Sequence, residues 1–322
     1  MINAAIVGLG RWGRLLVDSV QGKSEKVRFT RGVTRTLSKA ESYCRDKGIE
    51  LSGDYAAVLR DPAIDAVVLA TPHTQHYEQI MAAAAARKHV FCEKPFTLDK
   101  ASAERAVKAC GEAGIAVGLG HNRRFMLHTN ELRRMVRAGE LGRILHIEGN
   151  FSADLSPNGE AWRGSRGESP AGGMTSLGIH AVDAFVDLCG AMVEVDARSY
   201  RQAMPFDVDD TTMVFVRFAT GSTGYLGTVA YSGTLWHVRV FGTKGWAEVR
   251  GTTGFAKCMS GKPEEASTFP ANDSLQAELE AWADAAEGRG GYPITPDQIV
   301  HGVAVLEAII RSAERGRAEP VG

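Results

Sequence analysis

Two rhythms of apolar and polar residues divide the chain near residue 120. Before that point, short and almost unbroken apolar runs (residues 4–7, 66–70 and 115–119) alternate with stretches of helical periodicity. Unbroken runs of four or five residues suit parallel strands buried on both faces. Residues 27–33 and 89–92 read as two further strands. Helices are expected after residue 13 and over residues 38–47, 54–59, 76–87 and 99–114. Gly48 stands where a glycine in the left-handed region would end a helix, and Asp61-Pro62 closes the next one. Strands and helices in alternation predict a doubly wound parallel sheet.

After residue 120 the rhythm changes. A helix over 123–138 ends at Gly139, and strands then follow over 144–151, 194–200, 211–218, 224–230, 236–241 and 246–250. Many of these alternate apolar and polar residues, and Gly221-Ser222 and Thr243-Lys244-Gly245 are turn signals between neighbours. Consecutive strands with short turns form an antiparallel sheet. Residues 152–173 and 251–273 read as irregular, and a loop as long as the first is usually functional. Two helices, 274–287 and 296–315, complete the chain. The expected fold class is α/β followed by α+β, with domains over 1–120 and 121–322, and 322 residues suit two domains.

Composition excludes several function classes. The chain is 44% hydrophobic and 23% charged, ordinary for a soluble protein. A net charge of −1 creates no field that recruits nucleic acid or anionic membrane. No apolar run approaches membrane-spanning length. Cys44, Cys92, Cys110, Cys189 and Cys258 lie far apart without a C-x-x-C pair, which predicts free thiols and a cytoplasmic setting. The first residues lack a basic segment and read as a strand rather than a signal peptide.

The chemistry-bearing residues fall at expected strand ends. Gly8-Leu9-Gly10-Arg11-Trp12-Gly13 follows the first strand and opens a helix. Glycines there let the backbone turn tightly and approach a pyrophosphate, whose charge the free N–H groups of the helix start would hold. The second strand ends in Thr34-Arg35 with no carboxylate. An acidic residue at that point would bind the ribose 2′-hydroxyl of NAD, whereas an arginine suits a 2′-phosphate. NADP(H) is therefore expected over NAD(H), unless Arg35 stacks on adenine or faces solvent. Glu93-Lys94-Pro95 places a lysine where it could stabilise a developing alkoxide, although a surface lysine in a turn has the same spacing. Ser176, His180 and Asp183 share a face if residue 175 onward is α-helical. His180 could exchange protons near neutral pH, oriented by Asp183 and relayed by Ser176, or could be a helix-packing histidine that Asp183 satisfies. The spacing does not argue for a metal.

Taken in order, Gly-Leu-Gly-x-x-Gly, Ala70-Thr71-Pro72-x-x-x-His76, Glu93-Lys94-Pro95, Asn122-Arg123-Arg124-Phe125 and Gly172-Gly173-x(4)-Gly178-x-His180-x-x-Asp183 resemble the Gfo/Idh/MocA oxidoreductases. The resemblance extends over nearly the whole chain. It implies an N-terminal Rossmann domain that binds NAD(P) and a C-terminal domain built on an open, mostly antiparallel sheet. It implies hydride transfer between nicotinamide and a hydroxyl-bearing carbon of a sugar, cyclitol or related polyol, with no metal. By the same resemblance, Lys94 contacts the reacting oxygen and His180 is the acid/base. Gly8, Gly10, Arg11, Trp12, Gly13, Thr34, Arg35, Thr71, Pro72, His73, His76, Glu93 and Lys94 fall at cofactor positions. Arg123, Trp162, Arg163, Ser176 and His180, with Lys94, fall near substrate. The C-terminal sheet would join a homodimer or homotetramer. Two departures stand out: Ser176 replaces a frequent aspartate, and His73 a common asparagine. The first leaves room for a cofactor-binding sensor without catalysis, or for an enzyme that uses bound cofactor only transiently.

Overall fold

The computed structural model describes residues 1–158 and 162–322; residues 159–161, part of the loop expected over 152–173, lie outside them. Two compact units result, one from residues 1–122 and 273–300, the other from residues 123–272 and 301–322. Each is described by itself.

The first unit begins with β1 (Ile2–Val7), α1 (Arg11–Val20), β2 (Val27–Val33), α2 (Glu41–Lys47), β3 (Glu50–Ser52) and α3 (Tyr55–Arg60). It continues with β4 (Ala66–Leu69), α4 (His76–Ala85), β5 (His89–Glu93), α5 (Lys100–Ala113) and β6 (Val117–Gly120). The six strands are parallel in the order β3-β2-β1-β4-β5-β6, and β3 was not anticipated. All four residues of β4 are buried, as an unbroken apolar run in a covered sheet requires. Helix α1 turns Gly13, Leu16, Val17 and Val20 onto the sheet, one face of a 3.6-residue period. Gly48 and Gly114 end α2 and α5 in the left-handed region, at φ +68° each.

The second unit contains α6 (Leu127–Arg137), β7 (Ile144–Ser152), α7 (Ile179–Cys189), β8 (Met192–Tyr200), β9 (Thr211–Phe218), β10 (Thr223–Val229), β11 (Leu235–Gly242), β12 (Gly245–Arg250), β13 (Gly254–Met259) and β14 (Glu265–Thr268). Helix α8 (Ser274–Ala286) returns to the first unit, before α9 (Pro296–Arg315) and β15 (Glu319–Pro320). The nine strands run in the order β14-β13-β12-β11-β7-β10-β9-β8-β15, antiparallel except for the β7–β10 pair. Strand β9 shows the period of two: Thr212, Val214, Val216 and Phe218 are buried while Met213, Phe215 and Arg217 are exposed. The buried face packs against apolar residues of α6, α7 and α9.

Two further expectations differ from the structure. Residues 251–273 contain β13 and β14, where no strand was expected. Helix α8 packs in the core of the first unit through Leu279, Trp282 and Ala283, although the sequence boundary placed it with the second. Trp282 meets Phe91 edge-on at 5.7 Å and lies where any side chain at Gly118 would stand.

Asp210 organises the segment between β8 and β9. Its carboxylate accepts from the backbone N–H groups of Gln202, Ala203 and Met204 at 2.9, 2.7 and 2.8 Å. Burial alone would raise its pKa, but these donors and the Thr211 hydroxyl hold it below the usual carboxylate value. A depressed folded-state pKa contributes stability above the unfolded-state value, about 4, that is lost as pH falls through the folded value. Asp210→Asn should therefore lower the unfolding free energy by roughly 1–3 kcal/mol at neutral pH. Denaturant titration from pH 7 to pH 3 should show this difference shrinking with acid.

Candidate functional site

In the first unit, the glycine loop serves three separate requirements. Gly8 has φ +99°, and a Cβ there would lie 2.5 Å from the Ala70 carbonyl oxygen. A Cβ at Gly13 would overlap the Gly8 carbonyl, so the third glycine seats α1 against the loop. Gly10 differs: an added Cβ would meet nothing within 4 Å, so its bareness leaves space rather than relieving a clash. Gly10 also caps α1 without a side-chain hydrogen bond, and no acidic residue occupies the first turn. The helix start thus presents N–H groups and its positive dipole end to open space, which fits a dinucleotide pyrophosphate. Arg11 is exposed beside it and Trp12 is half-buried against the core.

The other expected cofactor positions fall at the carboxyl ends of the same strands. Half-buried Thr34 donates its N–H to Ser52 O at 3.1 Å, and Arg35 is exposed. The Thr71 hydroxyl donates to Gln79 at 2.6 Å. Fully buried His76 places Nδ1 2.8 Å from Pro95 O and Nε2 3.1 Å from Thr71 O. The ring thereby ties the Thr71-Pro72 turn to the Glu93-Lys94-Pro95 segment. Both partners are acceptors, so a neutral ring donates to one at a time and only the imidazolium serves both. His73 is buried and meets His76 edge-on at 5.9 Å. Glu93 is buried, and Gly120 makes room for it: a Cβ there would lie 2.6 Å from Glu93 Oε1. Lys94 is half-buried and joined to Pro95 by a cis peptide bond. These positions converge where ligands bind open parallel sheets, at the strand ends beside the reversal between β1 and β4.

In the second unit, Ser176, His180 and Asp183 are all buried, but they do not share one α-helical face. Met174–Gly178 forms a π-helical turn and α7 begins at Ile179, so the α-helical register joins only His180 and Asp183. Asp183 accepts from Arg124 with both carboxylate oxygens, Nε and Nη2 each at 2.8 Å. Its charge is thus offset by Arg124. The adjacent glycines are packing residues. A Cβ at Gly172 would overlap the Asp209 carbonyl, one at Gly173 would lie 2.5 Å from Thr228 Oγ1, and one at Gly178 would lie 2.8 Å from Thr228 Cγ2.

Ser176 and Arg163 line one small pocket of about 10 Å³, room for a single water. Leu155 and Ser169 of the long loop join them, as do Met204 and Phe206 from the segment that Asp210 holds. Trp162 contributes differently, with Arg163 over its ring at 4.1 Å. The His180 ring stands 5.7 Å from that of Phe151, which meets Trp236 edge-on at 5.3 Å. The Arg123 guanidinium carbon lies 4.0 Å from the Phe151 centroid and 4.4 Å from that of Trp236. Burial pushes the Arg123 pKa down to about 10, which leaves it charged at neutral pH. Met204, Phe206, Phe151 and Trp236 were not anticipated as site residues. The aromatic pair carried a signal, since both fall at the ends of neighbouring strands that share a register.

Among the described residues no group of three or more His, Cys, Asp or Glu could hold a metal. The five cysteines are free, and among the described residues no helix is long and apolar enough to cross a membrane.

The model of the oxidoreductase family with an NAD-binding Rossmann fold matches residues 2–121, and that of the GFO/IDH/MocA C-terminal domain matches residues 129–248. The 1,5-anhydro-D-fructose reductase of Ensifer adhaerens is 27% identical, over 97% of this chain and 99% of the relative. The scyllo-inositol 2-dehydrogenase (NAD(+)) of Bacillus subtilis is 31% identical, over 69% of this chain and 66% of the relative. The crystal structure of aldose-aldose oxidoreductase from Caulobacter crescentus, complexed with glycerol, superposes with a TM-score of 0.90 at 26% identity, covering 99% of both chains. With its glycine loop, its Glu-Lys-Pro segment and both of its units accounted for, the chain belongs to the Gfo/Idh/MocA family of NAD-binding oxidoreductases.

Proposed function

We propose that the protein reversibly oxidises a secondary hydroxyl of a sugar-like or cyclic polyol, with NADP(H) preferred to NAD(H). The observation that carries this reading is the open helix start at Gly10, in the same row of strand ends as the Glu93-Lys94-Pro95 segment. The names of the reductase of an anhydro-sugar and the dehydrogenase of an inositol support the substrate class. Bound nicotinamide would supply the hydride acceptor. Lys94 donates a hydrogen bond to the substrate oxygen and stabilises the charge that develops as its proton leaves. His180 takes that proton and returns it in the reverse direction. His76 positions Lys94 through Pro95. Free cysteines fit a cytoplasmic setting.

The 2′-phosphate of NADP would meet Thr34 and Arg35, the donors beyond β2 where no carboxylate stands. The exposed face of the larger sheet, with Phe215 at 65% exposure and Met213, Tyr200 and Tyr225 around it, would pair with a second copy of the chain.

Three measurements check this reading. Lys94→Ala should lower kcat by roughly a hundredfold or more while changing cofactor Kd only a few-fold, followed by nicotinamide absorbance on a panel of polyols, sugars and cyclic diols. Cofactor binding with no turnover on that panel would favour a sensor instead. In fluorescence titrations, NADPH should bind more tightly than NADH, and Arg35→Ala should erase most of that difference; tighter NADH binding by the unaltered protein would overturn the preference. Phe215→Asp should convert an oligomer to monomer in light scattering, whereas an unaltered protein that is already monomeric would rule out the pairing.

A further inference from the structure

Arg123 and Arg124 are neighbours in sequence but differ in electrostatic surroundings. Arg124 is 3% exposed and neutralised: Asp183 binds it through two oxygens and Asp187 stands 3.4 Å from Nη1. Arg123 has no ion pair with any carboxylate among the described residues, and its Nη1 is buried without a hydrogen-bond partner. Its neighbours supply no negative charge. Phe151 and Trp236 stand at 78° to each other and form a corner over the guanidinium. The nearby His128 is buried, which lowers its pKa; a backbone contact with Gly251 opposes this and the Arg123 charge adds to it. Attraction to two ring faces recovers only part of what it costs to take a cation out of water. Rings at 78° to each other leave at most one of them stacked on a guanidinium face, and Nη1, still without a hydrogen-bond partner, is the N–H group a carboxylate would accept from.

We infer that Arg123 is an anion receptor and that the substrate of this protein carries a carboxylate as well as the hydroxyl that reacts. The inference rests on the proposed function. Phe151 links this receptor to the proposed acid/base: 4.0 Å to the guanidinium carbon and 5.7 Å to the His180 ring bound their separation at about 10 Å. A hydroxy acid whose carboxylate and reacting carbon are a few bonds apart spans that distance. Among the described residues, the pocket on the Ser176 side of the same helical segment is lined by no Asp or Glu. The substrate class narrows from polyols to polyol acids, such as aldonic, uronic or cyclitol carboxylic acids.

The test compares matched pairs that differ in a carboxylate: gluconate with sorbitol, glucuronate with glucose, and quinate with inositol. Binding to the cofactor-loaded protein is measured by calorimetry, independently of turnover. In at least one pair the acid should bind roughly thirtyfold or more tightly than its neutral partner. Arg123→Met should abolish that preference without lowering the thermal midpoint, and Arg123→Lys should keep part of it. Equal binding within all three pairs, or a preference that survives in Arg123→Met, overturns the inference. Nicotinamide absorbance on the same compounds separates it from the broader reading. Turnover of neutral polyols with no preference for acids leaves the oxidoreductase standing and removes the receptor. Acid binding lost in Arg123→Met, with no cofactor reduction by any compound, keeps the receptor and counts against the reaction.

Discussion

Close approach of backbone to backbone at a few glycines is the constraint on which both halves of the chemistry depend. In the first unit, Gly13 lets α1 come down onto the Gly8 carbonyl, and Gly8 lets the loop pass the Ala70 carbonyl. A methyl group at either point would push the helix start away from the strand ends. The open N-terminus at Gly10 would then no longer lie at the edge where Thr34, Thr71 and Glu93 emerge. In the second unit, Gly172, Gly173 and Gly178 do the same against Asp209 and Thr228, and so seat the π-helical turn on β10. The motifs that look like binding signatures are largely packing signatures. Gly10 differs, since an added Cβ there would meet nothing within 4 Å.

Charge fixes what packing has placed. Helix α7 is held by a buried ion pair between Arg124 and Asp183 and a partly buried one between Arg133 and Asp187. Two buried charges recover their desolvation cost only in good geometry, and removal of one partner costs about 3–5 kcal/mol because the other is left stranded. The bidentate Arg124–Asp183 contact meets that condition. It makes α7 a rigid carrier for His180. Asp183 therefore belongs to the framework through Arg124, whatever further influence it has on the imidazole. His76 plays the equivalent part in the first unit, where its two carbonyl partners join separate strand ends.

Most of the fold was legible because its strands are long or fully covered. Residues 66–70 and 211–218 announce a buried and a half-buried strand by their periods alone, and β4 and β9 follow them closely. Strands β3 and β14 were not legible: the first has three residues, and all four residues of the second are exposed. An edge strand without a buried face leaves no apolar alternation to read. Helix α8 was visible as a helix but not as part of the first unit. Its place depends on Trp282 filling the space that Gly118 leaves, a contact across more than 160 positions of sequence that no local pattern encodes. The positions expected to hold cofactor could be named from the sequence because most of them lie at or just after strand ends. The lining of the second unit was less so, since the π-helical turn breaks the spacing from which a shared Ser176–His180 face was expected.

The two arginines of Asn122-Arg123-Arg124-Phe125 show what sequence leaves open and structure decides. As letters they are equivalent, and only the family resemblance singles out Arg123 as lying near substrate. In the fold they separate, because the short turn at Asn122–Phe125 sends Arg124 to the carboxylates of α7 and Arg123 to the aromatic corner of β7 and β11. Those carboxylates neutralise the first, and nothing among the described residues neutralises the second. A folded protein keeps a half-buried, uncompensated cation only where the rest of its packing is stable enough to hold it. The surrounding core supplies that stability: Phe151 and Trp236 are 8% and 3% exposed and belong to the main apolar cluster of the unit. The receptor is thus preorganised, its side chain already ordered and already stripped of much of its water. Binding an anion there costs less than ordering a mobile surface arginine would, and the core meets that cost during folding.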